Sequence, residues 1–198
     1  QTVLTDYIET KNELHNKLVN EFAGDTLQWQ MAIGKDLSMK FKEPTVLFAS
    51  GSADLTPRFC QILNNFLPRY FNILLNDSLR TNIREIRIEG HTDNVPMPSY
   101  DTDSYIANVI LSQKRSLSVL KYFRKMEVFK KYTSEQQRLL EFWFTANGLS
   151  YGKSLDNNGD YTIVTGNDID KNKSRRVEFR IVTSGDEILE NFVNKNKN

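Results

Sequence analysis

The spacing of apolar and polar residues lays out most of the elements. Leu4, Ile8, His15, Leu18 and Phe22 fall on one narrow stripe, which predicts a helix over residues 3–23 closed by Gly24. Such a stripe can pack on a domain or pair with a second copy of itself, and His15 on it reads as a hydrogen-bonded packing residue. Leu27 to Ile33 and Leu37 to Phe41, joined by Gly34-Lys35-Asp36, predict a β-hairpin. Beyond Pro44, Val46-Leu47-Phe48 reads as a short strand. The polar loop Ala49 to Leu55 leads to Thr56, a helix N-cap, with Pro57 at the first helical position. Phe59, Ile62, Leu63, Phe66, Tyr70, Phe71 and Leu74 form that helix's core face, and Pro68 inside it predicts a kink or interruption.

Ile86 and Ile88 alternate with Glu85, Arg87 and Glu89, the period of a half-buried strand. Gly90 ends it and delivers His91, Thr92 and Asp93 at its tip. A loop with two prolines runs from Val95 to Thr102, and a helix begins near Asp103 or Ser104. On this helix Ile106, Ile110, Leu117 and Leu120 share the stripe expected to be buried. Asn108, Ser112 and Arg115 cluster within about 60° on the other side, at 100° per residue, and are expected to be exposed together. Ser134-Glu135-Gln136-Gln137 has the form of a capping box and predicts an extra short helix. Trp143 to Ala146 reads as a strand ended by Asn147-Gly148. Residues 150–174 form a long solvated loop with a small hairpin at Tyr161 to Val164, and Val177, Phe179 and Ile181 alternate with charges in a last strand. The tail beyond Ser184 is expected to fray. This order of helices and strands indicates an α+β sandwich. It divides into an N-terminal helix over residues 1–25, a domain over 26–184 and a tail over 185–198.

At 198 residues, with 39% hydrophobic residues, 12 Phe, 8 Tyr and 2 Trp, the chain can build a sizeable core. Lys+Arg 26 against Asp+Glu 25 leaves a formal charge of +1, which gives no global reason to expect nucleic acid as a partner. The basic run Lys171 to Arg176 has acidic residues on its N-terminal side and Glu178 beyond it, so it reads as a solvated loop. The single cysteine, Cys60, lies on an apolar helical pattern and is expected to be a buried, inert thiol. No apolar run approaches the length of a bilayer span, and the chain starts at Gln1.

The chemistry concentrates after Gly90. A carboxylate at a strand tip, Asp93, and a guanidinium on the next helix, Arg115, make two opposed poles that suit the ammonium and carboxylate of one zwitterion. His91-x-Asp93 is also readable as two metal ligands or as a base with its orienting acid. A catalytic zinc usually needs three protein ligands, however, and no third His or exposed Cys is at hand. No nucleophile-elbow motif is present. The reading is therefore non-catalytic, with neither metal nor cofactor.

Gly90-His91-Thr92-Asp93-Asn94-Val95-Pro96, then Asn108, Leu111-Ser112 and Arg115, then Ser174-Arg175-Arg176-Val177-Glu178, resemble the OmpA C-terminal domain over residues 44–183. The Thr-Asp-Asn-Val-Pro wording is most similar to MotB-type flagellar stator proteins. The resemblance implies a two-layer sandwich, a mixed β-sheet with helices on one face. It also implies that Asp93 takes the ammonium and Arg115 the carboxylate of diaminopimelate in a peptidoglycan stem peptide. Asn108 and Ser112 would add hydrogen bonds, Thr92 would fix the loop, and Asn94 and Leu111 would complete the site. Arg175 and Arg176 either line the site, Arg176 being the one assigned to it, or pair with acids at the strand start. Ala49 stands where many relatives carry an aspartate, and Ser174 where the family usually has asparagine. The implied parent is anchored in the cell envelope, at the inner membrane rather than the outer. It would act from the periplasm as a plain tether or as a stator-type subunit with an ion-channel partner, and could form a homodimer.

Overall fold

The computed structural model describes residues 2–42, 44–186 and 195. Helix α1 (Val3–Phe22) is capped by Thr2, whose side chain accepts from the Thr5 N–H. Its stripe divides in two: Leu14, Leu18 and Phe22 are fully buried, whereas Val3, Leu4 and Ile8 are 59%, 47% and 48% exposed. Phe22 packs 6.2 Å from Trp29 and 5.1 Å from Phe66, centroid to centroid. The second half of α1 thus belongs to the main core, and packing is continuous across the division placed at residue 25.

Strands β1 (Met31–Ile33) and β2 (Ser38–Phe41) form the expected antiparallel hairpin, shortened because residues 25–30 turn. The strand expected at Val46 to Phe48 is instead a helical turn, α2 (Pro44–Leu47), followed by a lone bridge from Phe48 to Leu55. Proline suits a first helical turn, and the Phe48 ring turns inward onto Phe59 at 5.6 Å. Helix α3 (Pro57–Leu74), capped by Thr56, runs unbroken through Pro68. Eight buried side chains hold it to the core, enough to offset the lost backbone bond of about 3 kcal/mol. Cys60 is half-buried rather than buried.

Short α4 (Asp77–Arg80) precedes the central strand β3 (Ile83–His91). Then come α5 (Ser104–Lys125), α6 (Glu127–Lys131), α7 (Ser134–Trp143) and β4 (Phe144–Gly148). The capping box exists one residue earlier than expected, between Thr133 and Gln136. In the long loop, the expected hairpin is a single helical turn, α8 (Thr162–Thr165), ended by Gly166 in the left-handed region at φ 70°. Another turn, α9 (Lys171–Ser174), leads into β5 (Arg176–Thr183). The tail reading falls mostly outside the described residues. At its start the Ser184 N–H donates to the Asn82 carbonyl at 2.9 Å, and Tyr7 Oη donates to Asp186 Oδ1 at 2.5 Å.

The five strands form one sheet in the order β1-β2-β5-β3-β4, antiparallel except for the parallel β3–β4 pair. This is the mixed sheet of the expected α+β sandwich. Ile86, Ile88, Val177, Phe179 and Ile181 face the helices and join an aromatic core in which Phe179 lies 5.1 Å from Phe66 and 5.7 Å from Phe41. Glu89, Arg176, Glu178 and Arg180 alternate with them and so face the other side. Among the described residues no helix is long and apolar enough to cross a membrane.

Candidate functional site

The end of β3 is fixed by close approach. A Cβ on Gly90 would lie 2.3 Å from the Ser112 carbonyl oxygen, and one on Gly148 would lie 2.4 Å from the Gln113 amide nitrogen. Glycine at both strand ends therefore lets α5 rest directly on the sheet. Its buried face is Ala107, Asn108, Leu111, Ser112, Arg115, Ser116, Val119 and Phe123. This turns the helix from the expected orientation: Ile106 and Leu117 are 42% and 38% exposed, Ile110 and Leu120 are half-buried with Leu120 against the core, and Asn108, Ser112 and Arg115 are the buried ones. Contact with bare backbone favours small and hydrogen-bonding residues over aliphatic ones, so hydrophobicity pointed to the wrong side.

Polar bonds then shape the cleft. Asn108 Nδ2 donates to the Val95 and Ser104 carbonyls, both at 3.0 Å, pinning the loop after β3. Ser112 Oγ accepts from the Ser150 N–H at 3.1 Å, and the Thr92 N–H donates to the Ser150 carbonyl at 3.0 Å. Ser174 Oγ accepts from the Leu155 N–H at 2.9 Å and so ties α9 to the same loop. Asp93 Oδ1 accepts from the Val95 N–H at 2.9 Å, and Oδ2 lies 3.5 Å from Arg175 Nη1. Arg115 Nε donates to the Ser52 carbonyl at 2.8 Å, and its guanidinium lies 4.9 Å from the centre of the Phe48 ring. Burial, reinforced by the nearby charge of Arg175, pushes the Arg115 guanidinium down to about 10, against the opposing pull of Tyr100 and Asp93.

These groups surround a cleft of about 130 Å³ lined by Thr92, Asp93, Asn108, Leu111, Arg115 and Arg175, with Phe48, Val95 and Met97 as apolar wall and Ser50 and Gly51 at one side. Five of the eight residues assigned from sequence meet there. Ser112 is fully buried in the loop splice, Asn94 is exposed outside the lining, and Arg176 is elsewhere. Of Arg175 and Arg176, Arg175 is the one in the cleft, and the alternation of β5 extended one residue back carried that signal. Residue 176 shares a face with Glu178, whereas 175 shares one with Val177. Phe48 and Met97 had no local signal, since long-range packing alone brings them in. Ala49 is exposed and is not part of the lining. A larger depression of about 630 Å³ between α4 and α7, lined by Arg80, Arg138, Leu139 and Phe142 among others, lies apart from these groups.

Arg176 sits on the sheet's other face in a buried ion network. Its Nε is 2.7 Å from Glu178 Oε1, Arg180 Nη2 is 2.9 Å from Glu178 Oε2, and Arg87 Nε is 3.0 Å from Glu89 Oε2. His91 Nε2 is 3.2 Å from Glu89 Oε1, which also faces Arg180 Nε at 3.6 Å. Burial lowers the His91 imidazole below its usual range, so the ring is neutral and Nε2–H donates to Glu89. Ligand atoms of Glu89, His91 and Glu178 lie within 4.8 Å of one another, close enough to hold a metal ion. Every carboxylate oxygen there is already engaged by a guanidinium or the imidazole, and three arginines would repel a cation, so the group reads as a closed ion-pair network. The ring of His91 and the carboxylate of Asp93 thus serve different sites, which separates the pair that a base-and-acid or metal reading would need together.

A sequence model described as the OmpA family matches residues 47–159. The chain is 36% identical over 187 residues to Zorya protein ZorB of Escherichia coli (strain Crooks), covering 93% of this chain and 74% of that protein. Among solved structures it is similar to a putative MotB-like protein from Desulfovibrio vulgaris. The TM-score is 0.61 at 21% identity, over 92% of this chain and 99% of that one, a likeness of fold.

Proposed function

The chain belongs to the OmpA family, and from that membership we propose that it is a non-catalytic domain that grips a diaminopimelate-bearing peptidoglycan stem peptide. The observation that carries this reading is the meeting of Asp93 and Arg115, opposite charges from different elements, in one cleft with an apolar wall. The ammonium of the ligand goes to Asp93. Its carboxylate goes to Arg115, whose Nε is held by Ser52 while the terminal nitrogens are left for a bidentate pair. Phe48, Val95, Met97 and Leu111 suit the methylene chain between the two ends of a diamino acid. Asn108 acts on the loop, and Ser112 acts through the Ser150 splice rather than on the ligand.

Charge-assisted bonds contribute about 1.5–3 kcal/mol each, so one stem peptide is held weakly and a polymeric wall is held through avidity. The domain in this reading works in the periplasm as the wall anchor of an envelope complex. The MotB-like wording at Thr92 to Pro96 supports a stator-type parent with an ion-channel partner. The exposed stripe of Val3, Leu4 and Ile8 supports pairing of two copies through α1. Co-sedimentation with insoluble sacculi tests the anchor. The 198-residue protein should pellet with diaminopimelate-type sacculi, and Asp93→Ala and Arg115→Ala should stay in solution while remaining folded, with unfolding free energies within about 1 kcal/mol of wild type. Undiminished pelleting of both variants sinks the reading.

A further inference from the structure

The cleft is not electrically neutral. It holds two guanidiniums, Arg115 and Arg175, and one carboxylate, Asp93. Arg175 Nη1 lies 3.5 Å from Asp93 Oδ2. Once a ligand ammonium joins Asp93, that carboxylate has a second cation to serve. A simple zwitterion brings equal and opposite charges, so it leaves the cleft with the same surplus of one positive charge.

Two further atoms point the same way. Thr92 Oγ1 and Arg175 Nε are both buried without a hydrogen-bond partner among the described residues, and both residues line the cleft. Buried polar atoms left unmatched are costly and call for a partner. A hydroxyl and a guanidinium N–H together are two donors, which suits an oxygen anion. Asp93 offers none of its oxygens to Thr92, being committed to the Val95 N–H and Arg175.

Resting on the stem-peptide reading above, we propose that the cleft selects a ligand with one ammonium and two carboxylates, the second carboxylate taken by Arg175 with Thr92. Within the diamino dicarboxylic acid itself that condition is met only where it is the last residue of the stem. When another residue follows, its main-chain carboxylate is an amide and carries no charge. The preferred ligand is therefore a trimmed peptide, and the reaction class that supplies it is a carboxypeptidase removing the residue beyond the diamino acid. Arg115 and Asp93 read the side-chain end of that residue, and Arg175 reads whether the chain stops there.

Calorimetric titration of the 198-residue protein with three soluble muropeptides decides the matter. They are a tripeptide stem ending in diaminopimelate, the same tripeptide with its terminal carboxyl amidated, and a tetrapeptide stem. The acid should bind about tenfold or more tightly than the amide, the fold-change of one charge-assisted contact, and the tetrapeptide should match the amide. Arg175→Gln should remove that preference, so that the acid and the amide bind this variant alike. Equal affinities for acid and amide would mean that both guanidiniums hold one carboxylate, which overturns the selection but leaves the stem-peptide reading standing. Binding of none of the three overturns that reading and the selection with it. The acid-against-amide comparison is made on wild-type protein, so it stands even if Arg175→Gln unfolds.

Discussion

Two groups of buried charge lie on opposite faces of the sheet where β3 ends, and they are built on different terms. On the outer face each carboxylate oxygen of Glu89 and Glu178 meets a guanidinium or the His91 ring. On the helix side Asp93 is half-committed, Arg115 has a carbonyl and an aromatic ring but no carboxylate within bridging distance among the described residues, and Thr92 Oγ1 and Arg175 Nε have nothing. In the first group every carboxylate oxygen is engaged, although His91 Nδ1 is buried without a hydrogen-bond partner among the described residues; in the second the charges themselves are incompletely paired. Adjacent residues, Arg175 and Arg176, are divided between them by the alternation of a single strand extended one residue back. Pairing of the charges, rather than their burial, thus separates the two groups, and in the reading proposed above the incompletely paired ones are those that take the ligand.

The largest expected effect is on the outer face. Glu178→Ala leaves Arg176 and Arg180 without their main partner inside the protein and should lower the unfolding free energy by about 3–5 kcal/mol, read by urea denaturation. A loss below about 1 kcal/mol would break the comparison by showing the network to be dispensable. The same network sets an acid limit. Burial alone would raise the Glu89 carboxyl, but the His91 hydrogen bond and the charges of Arg180 and Arg87 outweigh it and hold it at about 2 against an ordinary 4.5. A depressed carboxyl gives stability that is fully present above about pH 4.5 and is lost as pH falls toward 2. Burial of neutral His91 acts with the same sign from its ordinary 6.5 downward. Denaturation midpoints should therefore be level above pH 6.5 and decline from there toward pH 2; a midpoint that rises on acidification contradicts the assignment.

Gly90→Ala probes the seam between the two groups. Its Cβ would meet a backbone carbonyl at 2.3 Å, which no rotamer change relieves. The variant should lose about 1–3 kcal/mol together with sacculus binding, because α5 carries Asn108 and Arg115 away from Asp93. Retained binding at full stability would show that the close approach is not what builds the cleft. Arg115→Ala should give the opposite balance. It removes a charge with no carboxylate within bridging distance among the described residues, so stability should change by no more than about 1 kcal/mol while muropeptide affinity falls about tenfold or more. A stability loss as large as that of Glu178→Ala would place Arg115 among the structural charges.

Legibility in the sequence followed the same division. The strands β3 and β5, helix α3 with its Thr56 cap, and the two poles Asp93 and Arg115 were all readable, because alternation, periodicity and capping are local. The rest depended on partners distant in the chain. Phe48 turns onto Phe59 and under Arg115 instead of continuing a strand. Asp156 organises its loop by accepting from the Asn158 and Asp160 N–H groups, Thr165 Oγ1 and Asn167 Nδ2, a set no pattern announces. Pro68 is tolerated because of what α3 packs against.

The smallest expected effect tests the orientation of α5. Hydrophobicity placed Ile106 in the core, whereas its side chain is 42% exposed and the neighbouring Ala107 and Asn108 are buried. Were the periodic reading correct, Ile106→Lys would bury an unpaired charge and cost several kcal/mol. With the observed orientation it should shift stability by no more than about 0.5 kcal/mol and leave sacculus binding intact, since Ile106 is not among the cleft's lining. Denaturation and co-sedimentation of this one variant separate the two orientations. A helix that buries Ser112 and Ser116 and exposes Ile106 does so because one face must lie on glycine backbone and carry a guanidinium into the cleft. A marked loss in Ile106→Lys would return α5, and the cleft with it, to the orientation the sequence suggested.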